Sequence, residues 1–182
     1  MSEVPAAPEE VGLLLYLGTM VRDAAQMEVT VEAITSHLLA SHNLQASGVR
    51  GQPLSALVRK CRDVARQVPR VDAEQLDSLD KLLDRVVAVA ELRNTYVHGG
   101  WAQDFDGSYL AVRGKRGQSE LVSHSVSGEQ LLEMIKEIRS ISDGLLEWVS
   151  RDLNLMYGRA DDERVRSPSS TGRAHSVSAS QI

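Results

Sequence analysis

Apolar residues recur at steps of three and four along long stretches of this chain, and that periodicity commits most of it to amphipathic helices. Leu13, Leu17, Met20, Ala24, Met27, Val31, Ile34 and Leu38 predict a first helix from about Glu9 to about His42. Residues Asn43 to Gln52, with Gly48 and Gly51, read as a connecting loop. Pro53 suits the start of a second helix, whose apolar face is Leu54, Leu57, Val58, Cys61, Val64, Ala65 and Val68, and Pro69 stops it. Asp72, with Gln75 three residues on, is an N-cap for a third helix from Ala73 to about His98. Its stripe is Leu76, Leu79, Leu83, Val86, Val87 and Ala90. Gly99 and Gly100 should end it, because glycine readily adopts the left-handed terminal conformation. A fourth helix, capped by Ser127, runs from Gly128 to about Tyr157 over Leu131, Ile135, Ile138, Ile141, Leu145, Trp148 and Leu153. Between the third and fourth helices, Asp106-Gly107 and Arg116-Gly117 are turn signals, and Tyr109–Val112 and Leu121-Val122 are short strand candidates. The expected fold is therefore all-α: a four-helix up-down bundle with a small β-hairpin inserted before the last long helix. Residues 1–8 are expected to be flexible, 9–157 to form the domain, and the Ser-rich 158–182 to be a disordered tail.

Aromatic residues make up only 4% of the 182, so aliphatic side chains must supply the core. The single cysteine, Cys61, excludes an intramolecular disulfide and a multi-thiolate zinc site, and a reduced cytoplasm fits best. Acidic residues precede the apolar Leu13–Leu17 where a secretory signal would carry basic ones, and no apolar run is long enough to span a membrane. The net charge of −5 argues against a general nucleic-acid binder. Its distribution is uneven, with Arg50, Arg59, Lys60, Arg62, Arg66 and Arg70 facing only Asp63 between residues 50 and 70. That run is either a solvated helix face or a phosphate-contacting strip, with Arg59, Arg62 and Arg66 as its candidates for binding RNA.

The segment Glu91-Leu92-Arg93-Asn94-Thr95-Tyr96-Val97-His98 places polar, chemically capable residues at the end of an apolar helix. Asn94 and His98, four apart, share a helix face. Arg93 and His98, five apart, are separated by roughly 140° on an ideal helix. They converge if the last turn unwinds, or if two copies of the chain meet there. A guanidinium is a permanent fork of donors for phosphate, and an imidazole titrates near neutrality and moves protons. Together such groups can hold a scissile phosphate and shuttle the proton of the RNA 2′-hydroxyl, with no metal or other cofactor. The plain alternative is a helix-end cap with a dipole partner. Glu28 adds weight to the chemical reading. It falls within the apolar stripe of the first helix, between the angular positions of Leu17 and Val21, and a carboxylate there needs a partner. Arg93 is the expected one; the alternatives are a pair with Arg85 or a place for Glu28 at the stripe's margin.

Arg93-Asn94-x-x-x-His98 resembles the Arg-(Asn/Asp/His)-x3-His motif of the HEPN superfamily, and the resemblance extends over roughly residues 9–157. It implies a bundle of HEPN type and a metal-independent endoribonuclease of a toxin–antitoxin, abortive-infection or antiphage system. By that resemblance the protein works as a homodimer whose two motifs share one cleft, with an antitoxin or defence-system protein as a further partner. Arg93 would stabilise the phosphate, His98 would be the general acid or base, Asn94 would orient the site, and cleavage would leave 2′,3′-cyclic phosphate ends. One subgroup carries a tyrosine two residues after the histidine. Gly100 stands there in this chain, which departs from that subgroup. The alternative within the same resemblance is a non-catalytic helical module that binds RNA, a nucleotide or a protein.

Other candidates are weaker. His37 and His42 lack the four-residue spacing of a helical metal pair, and His124 lies among serines without a nucleophile-elbow pattern. Tyr96 and Trp101 can stack on bases or pack the helix end.

Overall fold

The computed structural model describes residues 8–41, 48–69, 71–105, 108–114 and 121–165. Four helices form where the periodicity predicts them: α1 (Pro8–Ser41), α2 (Leu54–Ala65), α3 (Ala73–His98) and α4 (Gly128–Val165). The helical backbone of α4 continues past Tyr157. Residues 1–7 and 166–182, and with them most of the expected flexible ends, lie outside the described residues.

The apolar stripes meet in one aliphatic core. Met20, Met27, Val31 and Leu38 of α1 are fully enclosed with Leu79 and Leu83 of α3 and Leu131, Ile135, Ile138 and Ile141 of α4. Each such side chain contributes about 1.5–3 kcal/mol by leaving water. Cys61 is buried among them, and that burial pushes its thiol up to about 11, as befits a packing residue. At the start of α3 both halves of the capping box form. The Asp72 carboxylate accepts from the Gln75 backbone N–H at 2.8 Å, and Gln75 Oε1 accepts from the Asp72 N–H at 2.9 Å.

The all-α expectation is overturned. The segment between α3 and α4 is a three-stranded antiparallel sheet, β1 (Gly100–Gln103), β2 (Tyr109–Gly114) and β3 (Leu121–Val126), in the order β1-β2-β3. The expected hairpin is β2–β3. The third strand follows α3 directly and pairs Trp101 with Ala111, which in turn pairs with His124. Strand alternation puts Trp101, Ala111, Arg113, Val122 and His124 on one face of this sheet. That face packs on α3, where the Tyr96 and His124 rings meet edge to face at 6.5 Å and Ala111 is fully buried.

The helix order also departs from an alternating up-down bundle, which would set the first and last helices antiparallel. Here contacts advance together along α1 and α4. Tyr16 lies beside Gly128, and farther along both helices Arg139 Nε donates to Asp23 at 2.8 Å. Helix α3 runs against α4: Arg85 Nε reaches Glu137 at 2.8 Å, and Trp148 Nε1 donates to the Gln75 carbonyl at 2.9 Å. With α2 only 12 residues long, three long helices and the sheet make the body of the fold.

A second correction concerns the end of α3. Gly99 has φ −74° and ψ 156°, dihedral angles that do not themselves call for glycine, so no left-handed cap forms there. Its N–H still closes onto the Thr95 carbonyl at 2.9 Å, and the chain passes straight into β1.

Candidate functional site

Arg93 leaves α3 towards α1. Its Nη2 donates to the Glu28 carboxylate and its Nη1 to Asn94 Oδ1 at 3.0 Å. The expected Glu28–Arg93 pair therefore forms, while Arg85 is taken by Glu137. The Arg93 side chain is 19% exposed and that of Glu28 36%, so the pair sits at a half-open edge of the core. Arg93 Nε is enclosed without an acceptor among the described residues. The guanidinium is thus held by a carboxylate on one helix and an amide on its own, which fixes its direction. Asn94 is half-buried, and since its carbonyl oxygen accepts from Arg93, its amide N–H groups remain as donors.

His98 lies one turn beyond Asn94 and is exposed. Arg93 faces the α1 side of α3, where Glu28 holds it, and His98 follows five residues later, roughly 140° around the helix. Within one chain the two groups occupy different sides of the helix end, as their five-residue spacing dictates. Tyr96 is 3% exposed, and burial pushes its phenol above the usual range. Its hydroxyl donates to the Ser125 carbonyl at 3.4 Å, while Trp101 Nε1 donates to the Tyr96 carbonyl at 2.8 Å. These two aromatics tie α3 to the sheet, and Tyr96 has no face open for a base.

The basic run on α2 is largely engaged within the fold. Arg62 pairs with Asp80 at 3.1 Å and with Asp84, and Arg66 pairs with Asp80 at 3.3 Å. Arg59 is exposed with no ion pair among the described residues. Asp77, Asp80 and Asp84 recur at helical spacing on α3, so an acidic stripe faces the basic one, and that spacing was the sequence signal for it. Replacing Asp80 with alanine is expected to lower stability by about 1 kcal/mol in urea denaturation, since these pairs are partly exposed. RNA binding should not change. Tighter RNA binding at unaltered stability would instead return Arg62 and Arg66 to the role of phosphate contacts.

Two residues that the helix motif does not announce stand next to Asn94. A groove of about 710 Å³ between α3 and the sheet is lined by Asn94, Glu91, Arg113 and His124 over an apolar floor that includes Leu92 and Val122. Arg113 and His124 come together only because β2 and β3 pair Arg113 with Val122 and Ala111 with His124. His42, one half of the weak histidine pair, lies outside the described residues. No helix among the described residues is long and apolar enough to cross a membrane. Comparison of the chain with protein-family models, with curated proteins and with solved structures finds no match.

Proposed function

We propose that this protein is a metal-independent endoribonuclease acting through Arg93 and His98. The observation that carries the reading is the array Glu28–Arg93–Asn94, which fixes a permanent cation on the α1 side of α3 in the same last stretch of helix that ends in an exposed imidazole. In the proposed reaction Arg93 stabilises charge on the scissile phosphate and Asn94 aligns it. His98 takes the proton of the 2′-hydroxyl or gives one to the leaving 5′-oxygen. The products are a 2′,3′-cyclic phosphate and a 5′-hydroxyl. The HEPN-like motif is also what points to a toxin–antitoxin or antiphage setting, with a restraining protein partner. Incubation of RNA with the wild type, His98→Ala and Arg93→Lys in the presence of a chelator tests the reading. Cleavage by the wild type alone supports it.

Because Arg93 and His98 stand roughly 140° apart around α3, the site is completed by a second copy. The outward side of α1 supplies a surface for it. Val11, Leu15 and Val29 are 56%, 69% and 57% exposed, and with Leu14, Gly18, Val21 and Ala25 they form a second apolar stripe opposite the core-facing one. A helix apolar on both sides is ordinarily covered on both. The stripe is self-complementary under a two-fold axis near residue 20. Antiparallel pairing sets Val11 against Val29 at each end, and Leu15 against Ala25 and Gly18 against Arg22, larger against smaller, between them, so the patch is complementary to itself as an isologous interface requires. Glu28 lies at the margin of the stripe, so the second copy would border the Arg93 site. Leu15→Glu is expected to give a folded monomer by sedimentation and to reduce cleavage at least tenfold, because it buries an unpaired charge at the contact. A dimer that survives this substitution, with activity intact, would remove α1 as the interface.

The non-catalytic reading has one observation in its favour, namely that both terminal nitrogens of Arg93 are already engaged by Glu28 and Asn94. RNA that is bound but recovered intact would establish it.

A further inference from the structure

Beside the motif, the groove between α3 and strands β2–β3 combines four unlike polar groups on an apolar floor. Arg113 offers an exposed guanidinium with no ion pair among the described residues. Asn94 offers the amide N–H groups that Arg93 leaves unused. His124 offers an imidazole that meets the Tyr96 ring edge to face. Glu91 offers a carboxylate. An inorganic anion would be met by donors alone. A group with acceptors at one end, donors at another and an apolar ring between matches this lining better. The volume of about 710 Å³ lies within the range of small-ligand sites.

We infer that this groove binds a nucleotide of the RNA strand flanking the cleavage point, with its phosphate held by Arg113 and Asn94 and its base lying over Leu92 and Val122 beside His124. The inference rests on RNA being the substrate. Glu91 then accepts from an amino group on the base, which favours bases that carry one. Asn94 joins the two sites, since its oxygen orients Arg93 while its N–H groups face the flanking phosphate. The strand would thus run from the end of α3 across the inner face of the sheet. Arg113 and His124 are positioning and specificity residues in this arrangement, and bond breaking stays with Arg93 and His98.

The test is binding of a fluorescently labelled, single-stranded 2′-O-methyl RNA to the full chain, followed by anisotropy at one fixed low salt concentration. The blocked 2′-oxygen prevents cleavage, so affinity is read apart from chemistry. Arg113→Glu is expected to weaken binding by about tenfold or more, and Arg113→Lys by less, since lysine keeps the charge but loses the fork. Arg151→Glu makes the same charge change on α4, far along the helix from the groove, and should bind as the wild type does. Unchanged circular dichroism would confirm that all three fold. Equal affinity of Arg113→Glu and Arg151→Glu, or no binding by the wild type, overturns the groove. Cleavage of ordinary RNA by the same proteins separates the two proposals. Cleavage that is indifferent to Arg113 sinks the groove alone. Arg113-dependent binding without cleavage sinks the nuclease and keeps the groove.

Discussion

His98→Ala is expected to abolish RNA cleavage, by about two to four orders of magnitude, while leaving thermal stability unchanged. Both halves follow from where the side chain is. His98 is exposed at the last position of α3, so its removal opens no cavity and leaves no buried partner unsatisfied. Surface changes of that kind stay within about 0.5 kcal/mol. The activity loss is large because neither of its polar neighbours on the last turn can move the proton instead: Tyr96 is buried and Asn94 does not titrate. Arg93→Lys should reproduce the activity loss, because lysine cannot serve the Glu28 carboxylate, Asn94 and a phosphate at once from a planar fork. It should also cost a little stability, since Glu28 would keep only a looser partner. A single-turnover cleavage assay with parallel melting curves checks all of this. Full cleavage by His98→Ala would end the proposed chemistry, and loss of cleavage accompanied by unfolding would reassign His98 to structure.

The sequence carried the helices well because each is written as a stripe with a period near 3.6, and a stripe needs only its own residues to be read. The Asp72–Gln75 box was legible for the same reason. The Glu28–Arg93 pair crosses between helices, yet it was legible too, because a carboxylate between the angular positions of Leu17 and Val21 demands a partner. Features that depend on what lies opposite were harder to read. Strand β1 is four residues, Gly100-Trp101-Ala102-Gln103, too short to show alternation, and it exists because β2 offers it a ladder. Arg113 and His124 share a face only through the β2–β3 register, which no local pattern specifies. The basic residues of α2 looked like a free strip until Asp80 and Asp84 were set against Arg62 and Arg66. The stripes of α1 and α4 do not reveal that the two helices run in the same direction, since periodicity is blind to polarity.

Gly99→Ala is expected to destabilise the protein by about 2–3 kcal/mol, lowering Tm by roughly 5–10 °C, while Gly100→Ala is nearly neutral. The difference is one of crowding. A Cβ on Gly99 would collide with the Thr95 carbonyl oxygen and come within 2.9 Å of the Val112 carbonyl oxygen, and both are backbone atoms held in α3 and β2. Neither can rotate away, so the helix end and the strand must separate, pulling His98 from its place. A Cβ on Gly100 meets the Val112 oxygen only at 4.0 Å, an ordinary contact. The neighbouring glycine is therefore a control with the same loss of chain entropy. Gly99→Asn distinguishes crowding from a left-handed cap. Asparagine tolerates the left-handed region and would be accepted by such a cap, but at φ −74° it brings the same Cβ and should be at least as damaging as alanine. Calorimetry of the three variants decides: equal melting temperatures for Gly99→Ala and Gly100→Ala would mean that the junction between α3 and β1 yields, and that His98 is not fixed by it.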